Sequence, residues 1–162
     1  LAEVDALLPG KYFVRCHMGL CRLKGGDPEG GLAHFHEALA LKPDPEEAPT
    51  VYSYIGAALK EMSRYEEALE FLRQGARLDP ERTDIHNLIG FCHFKRGEHA
   101  PAAAAFQRVV ELDPSSAIDH ANLGVNLQAL GESEMAAACY RTALSLDASI
   151  EFARRNLAAL GG

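Results

Sequence analysis

His17 and Cys21 are four residues apart, a spacing that puts two metal-ligating side chains on one face of a helix. His34 and His36 are two apart and would diverge on a helix, so they add no second pair of ligands. The four cysteines, Cys16, Cys21, Cys92 and Cys139, include no pair at the two-residue spacing of zinc or redox motifs. They read as small buried hydrophobes and require no oxidising compartment. No set of nucleophile, base and orienting group is visible. No phosphate-cradling glycine loop is visible, and Gly25-Gly26 is explained by a turn. The chain is therefore expected to have no catalytic residues, bound metal or cofactor.

Net charge narrows the partners. At -7, with a pI near 5.5, the chain lacks the positive field that displaces counterions from a phosphate backbone, so nucleic acid is not expected. Nor is membrane insertion: no apolar run approaches the ~20 residues that span a bilayer. The opening Leu1-Ala2-Glu3-Val4-Asp5 has no basic stretch of a secretory signal, and a cytoplasmic protein is the expectation. A composition of 48% hydrophobic and 24% charged residues supports a folded core. Absence of an initial Met and the closing Gly161-Gly162 read as a segment of a longer polypeptide.

Side chains on a helix act only where the helix is held, and the sequence shows how. Gly56, Gly90 and Gly124 recur every 34 residues. Ala68, Ala102 and Ala136 follow them in phase, then Leu72, Phe106 and Tyr140. Pro80 and Pro114 close two units, with Ala148 in that place in the third. An earlier unit repeats the spacing through Gly19, Gly31, Phe35 and Pro43, but three extra residues separate it from the next. A glycine inside a helix costs roughly 1 kcal/mol against alanine, so its return at each period implies a packing gain where two helices cross. The expected crossings pair Gly56 with Ala68, Gly90 with Ala102 and Gly124 with Ala136. Gly25-Gly26, Gly97 and Gly131 stand where first helices must end. Ser63 holds that place in the second unit, where the turn is strained or takes another geometry. Asp27-Pro28-Glu29 reads as an N-cap, a first-position proline and a first-turn acid. In the insertion, Asp44-Pro45-Glu46-Glu47 starts an extra turn that Pro49 is expected to interrupt, disturbing the stacking there.

These residues resemble the tetratricopeptide repeat. Tyr54-Ile55-Gly56, Leu88-Ile89-Gly90 and Asn122-Leu123-Gly124 match its first half, and Glu67-Ala68-Leu69-Glu70-Phe71-Leu72 with Leu78-Asp79-Pro80 its second. The resemblance covers essentially the whole chain. It implies an all-α fold, a right-handed α-solenoid of antiparallel helix-turn-helix repeats forming one domain over 1–162. Full repeats are expected at 12–45, 49–82, 83–116 and 117–150. A partial repeat at 1–11 would close a preceding helix through Leu1, Val4 and Leu7, and a helix at 151–160 would cap the far end. His86 and His120 fall where the repeat usually carries an aromatic, so packing accounts for them.

A solenoid of this kind has a concave face lined by its first helices. The candidate groove residues are Phe13, Leu20, Tyr54, Lys60, Asn87, Phe91, Phe94, Lys95, Asn122, Val125 and Asn156. Phe13, Leu20, Tyr54, Phe91, Phe94 and Val125 are more apolar than a solvated face requires, which suits either a hydrophobic binding groove or close packing between repeats. Lys60 and Lys95 either meet acidic groups of a partner or oppose a helix dipole. Asn122 and Asn156 match asparagines with which relatives hold an extended peptide. Relatives that grip a chaperone's C-terminal carboxylate use basic and Asn side chains where this chain has Cys16, Leu20, Tyr54, Asp84 and Leu88, so that ligand is disfavoured. The function this implies is a non-catalytic scaffold binding a protein or peptide segment. The alternative is the substrate-recruiting region of a larger enzyme, such as a glycosyltransferase.

Overall fold

A computed structural model describes residues 11–161, and the expected close of a preceding helix at 1–9 lies outside them. Among the described residues every regular element is an α-helix: α1 (Lys11–Lys24), α2 (Pro28–Ala40), α3 (Ala48–Glu61), α4 (Tyr65–Leu78), α5 (Thr83–Lys95), α6 (His99–Leu112), α7 (Ala117–Ala129), α8 (Ser133–Leu146) and α9 (Glu151–Ala159). They gather into two compact units divided between Pro80 and Glu81.

The helices form because each carries an apolar stripe at helical spacing. In α4, Ala68, Leu69, Leu72 and Gly75 are buried, while Glu66, Glu67, Glu70 and Arg73 face water. Asp27 caps α2 as the sequence requires: its carboxylate accepts from Gly30 N at 2.8 Å, with Pro28 at the first helical position.

In the first unit, α1 packs on α2, α2 on α3 and α3 on α4. Phe35, Ala38, Val51, Ile55, Ala58 and Leu72 are wholly buried there. In the second, α5 to α9 pack in chain order around Phe106, Tyr140, Ala121, Ala136 and Ala153, and α9 closes the cluster with Phe152, Leu157 and Leu160.

The recurring glycines do mark close crossings, but their partner differs from the one expected. A Cβ on Gly56 would lie 2.4 Å from Leu72, one on Gly90 2.9 Å from the Phe106 ring, and one on Gly124 2.7 Å from the Tyr140 ring. Gly19 stands in the same relation to Phe35, at 2.4 Å. Each glycine thus admits the large side chain that crosses from the second helix. Ala68, Ala102 and Ala136, one turn earlier, are buried but are not the nearest atoms.

All four turns inside hairpins close in one way. Gly26, Gly97, Gly131 and Ser63 take left-handed φ values of 80°, 72°, 82° and 58°. In each, the next residue's N–H reaches back five residues: Asp27 to Arg22, Arg64 to Leu59, Glu98 to His93 and Glu132 to Leu127, at 2.9 to 3.0 Å. Ser63 therefore keeps the glycine geometry, and the alternative of another turn form falls away.

At the insertion, Pro49 interrupts nothing. Glu47 N and Ala48 N both donate to Asp44 O at 2.9 Å, so the extra residues wind directly into α3. Pro49 sits in the first turn of that helix, where a missing N–H is not needed.

Candidate functional site

The first-helix residues of the two units are placed as follows. In the first unit, α1 presents Phe13, 56% exposed, its ring 4.2 Å from that of His17. His17 Nδ1 donates to the Phe13 carbonyl at 3.1 Å. Tyr54 of α3 is half-buried, its ring 5.4 Å from Phe35. A chain of contacts results: Gly19 makes room for Phe35, and Phe35 supports Tyr54. Between α1 and the start of α3 lies a cavity of about 240 Å³, which Phe13 and Tyr54 both line. Tyr12, Cys16, His17 and Thr50 contribute to its wall, and the insertion adds Glu46 and Glu47. A hydrogen bond to Glu47, assisted by burial and by that carboxylate's charge, pushes the Tyr12 phenol up to about 12. Leu20 is half-buried and does not line this cavity, and Lys60 pairs with its neighbour Glu61 at 2.8 Å.

In the second unit, Phe91 and Phe94 lie on α5. Phe94 is 37% exposed with its ring edge-on to His99, while Phe91 is half-buried under the Lys95 ammonium, 5.4 Å from the ring centre. The asparagines are engaged internally. Asn87 Nδ2 donates to Asp119 Oδ1 at 2.5 Å, and Asn156 Nδ2 to the Tyr140 hydroxyl at 3.1 Å. That hydroxyl in turn donates to Gln128 Oε1 at 2.8 Å. Asn122 is half-buried and accepts through its backbone carbonyl from Asn126, and Val125 packs against the core.

Sequence reasoning passed over three buried polar residues. Asp119 is 6% exposed and also accepts from Ser116 Oγ at 2.6 Å. Asn126, 1% exposed, meets His99 Nδ1 through its Oδ1 at 3.1 Å. His93 lies with Nδ1 2.5 Å from Glu98 Oε2, and Arg96 Nε reaches the other oxygen of Glu98 at 2.9 Å. The signal was present. One period earlier these positions are Ile85, Cys92 and Leu59, all buried, so a polar residue at each is an exception in an apolar phase.

None of this builds reaction chemistry. Burial raises the Cys16 thiol to about 11 and pushes the Cys139 thiol up too, away from the reactive thiolate. His17 and Cys21 do not belong to any cluster of three metal-ligating groups among the described residues. No helix among them is long and apolar enough to cross a membrane.

Profiles of the tetratricopeptide repeat (TPR) match residues 55–117 and 120–150. The chain belongs to the tetratricopeptide-repeat family. A curated TPR relative, the Hsp70-Hsp90 organizing protein of Triticum aestivum, is 33% identical over 90 residues; the match spans 56% of this chain and 15% of that protein. Among solved structures, a MamA fragment from Desulfovibrio magneticus RS-1 has a TM-score of 0.84 at 21% identity, covering 94% of this chain and 84% of its own. YrrB, described as a TPR protein with an unusual peptide-binding site, gives 0.77 at 19% identity over 90% of this chain and 74% of its own. The first TPR of Spaghetti, bound to the HSP90 peptide SRMEEVD, gives 0.68 at 21% identity, covering 71% and 91%. At such identities the likeness to these structures is one of fold. The chain shares the all-α TPR fold of antiparallel helical hairpins.

Proposed function

We propose that this TPR protein is a non-catalytic scaffold that holds a peptide or protein segment on its first-helix faces through aromatic anchors. The observation that carries this reading is the cavity of about 240 Å³ between α1 and α3, lined by Phe13 and Tyr54. Its lining comes from α1, the start of α3 and the insertion before it. Phe13 is more than half exposed although it stands on a helix whose hairpin core is already filled by Phe35. In the second unit, Phe94 offers a second exposed anchor. Burying two or three side chains at roughly 25 cal/mol per Å², before association costs, supports micromolar binding without a charged clamp. A chaperone's acidic tail suits this face poorly, since Asp84, Glu46 and Glu47 stand on or beside first helices.

The test is selection of short random peptides on the purified 162-residue chain, followed by fluorescence anisotropy with the selected sequences. Phe13→Ala should weaken binding of peptides seated on the first unit, and Phe94→Ala that of peptides seated on the second, while circular dichroism shows unchanged helix. Glu70→Ala, on the exposed side of α4, should leave affinity alone. If Glu70→Ala abolishes binding and both aromatic variants bind normally, the partner uses the outer surface and the reading is wrong.

A further inference from the structure

From the residues around the cavity in the first unit, we infer that its preferred occupant is the basic side chain of an arginine or lysine projecting from the bound segment. The inference rests on the scaffold reading and gives one of its subsites a chemistry. Three observations carry it. The cavity's charged lining is anionic: Glu46 and Glu47 stand at its wall, and no lysine or arginine lines it among the described residues. Rings of Phe13, Tyr54 and Tyr12 form much of the remainder, so a cation entering there meets π faces as well as carboxylates. At about 240 Å³ the space is below the roughly 300–1,000 Å³ of small-molecule sites, but holds one long side chain.

The insertion supplies the acidic part of this subsite. The residues after Pro43 wind into the start of α3 through the Asp44 carbonyl, and that turn delivers Glu46 and Glu47 to the cavity. Tyr12 lines the same wall as Glu47, and that carboxylate is the main cause of the raised Tyr12 phenol. Glu46 is exposed. His17 is tied to its own helix through the Phe13 carbonyl, lies tilted against the Phe13 ring and forms part of the cavity wall. The net charge of -7 adds a long-range field that draws basic segments toward the chain.

Peptides selected as described above provide the probe. In the expected result they share one arginine or lysine flanked by apolar residues. Replacing that residue by citrulline or norleucine weakens binding about tenfold, and so does the Glu46→Gln/Glu47→Gln double variant. Glutamine keeps an acceptor for Tyr12 and removes only the charge, so helical content serves as the folding control. Selected peptides without a shared basic residue, or equal affinity for the double variant, overturn the inference and leave the scaffold reading standing. Absence of any selected peptide overturns both, and selection of peptides whose binding responds only to Phe94→Ala moves the anchor to the second unit and overturns this subsite alone.

Discussion

Replacing Ser63 by glycine should make the protein more stable, although it removes a side chain. Ser63 has φ 58° and closes its turn with the same pair of bonds as Gly26, Gly97 and Gly131, Ser63 N to Lys60 O and Arg64 N to Leu59 O. A residue with a Cβ pays roughly 1–2 kcal/mol in the left-handed region. Glycine avoids that but gives the unfolded chain more freedom, which returns about 0.4–1 kcal/mol. The lost hydroxyl also accepts from Tyr65 at 3.2 Å on an exposed surface, a small contribution. The balance is a gain of about 0.5–1 kcal/mol, or roughly 1–4 °C in thermal midpoint for a chain of this size. Gly97→Ser is the mirror experiment. A Cβ there would meet nothing within 4 Å, so any loss comes from the backbone alone, and it should be of similar size. Thermal and urea unfolding followed by circular dichroism measures both. If Ser63→Gly lowers the midpoint, or Ser63→Ala raises it as much as glycine does, backbone strain is not what that position contributes.

Gly90→Leu should cost about 1–3 kcal/mol by overpacking, because even its Cβ would lie 2.9 Å from the Phe106 ring; urea unfolding checks it. Asp119→Ala should lose about 1–3 kcal/mol in the same assay, since it leaves Asn87 and Ser116 without their buried acceptor. Stability should also fall in acid. Glu98 is held below the usual carboxylate range by hydrogen bonds from His93 and then Arg96, Glu67 by Arg64, and Asp113 and Asp147 by Ser115 and Ser149. Groups with a depressed folded pKa contribute above their unfolded pKa and lose that contribution as pH drops through the folded one. The thermal midpoint should accordingly decline below the ordinary carboxylate range, and a flat profile down to the lowest folded pKa would contradict the pairings.

Much of the fold was legible because a period is a collective signal. Gly56, Gly90 and Gly124 repeat in phase, and no single one of them needed to be read correctly for the helical hairpins to emerge. What those glycines touch was less accessible, since the phase places Ala68 and Leu72 on the same face and cannot say which side chain reaches furthest across. The ring of Tyr140 and the branch of Leu72 decide it. Pro49 was misjudged for a related reason: a proline reads as a breaker until the helix start is known, and here the start is Ala48. For the candidate site, the aromatic residues Phe13 and Tyr54 could be picked out by phase, and the structure brings both to one cavity. The carboxylates of Glu46 and Glu47 could not, because an insertion has no phase. Asn87 and Asn156 illustrate the opposite limit. Their amides looked available for a ligand, and only coordinates reveal that Asp119 and the Tyr140 hydroxyl already use them.

The buried polar contacts of the second unit bear on how such a chain avoids assembling wrongly. Hairpins built on one pattern present nearly interchangeable apolar faces, so a hairpin can dock against the wrong neighbour or exchange with a second molecule during folding. Asp119 and Asn126 make two of these faces distinct. Asp119 is satisfied when the amide of Asn87 lies opposite, and Asn126 is matched by His99, from the hairpin that precedes it in the chain. A foreign hairpin set against α7 would leave the buried carboxylate with Ser116 alone and without its Asn87 donor, at a cost of about 1–3 kcal/mol. Misdocked and swapped species are thereby penalised even where their hydrophobic contacts are as good, and the order of the hairpins is written into the chain as a lock at one interface.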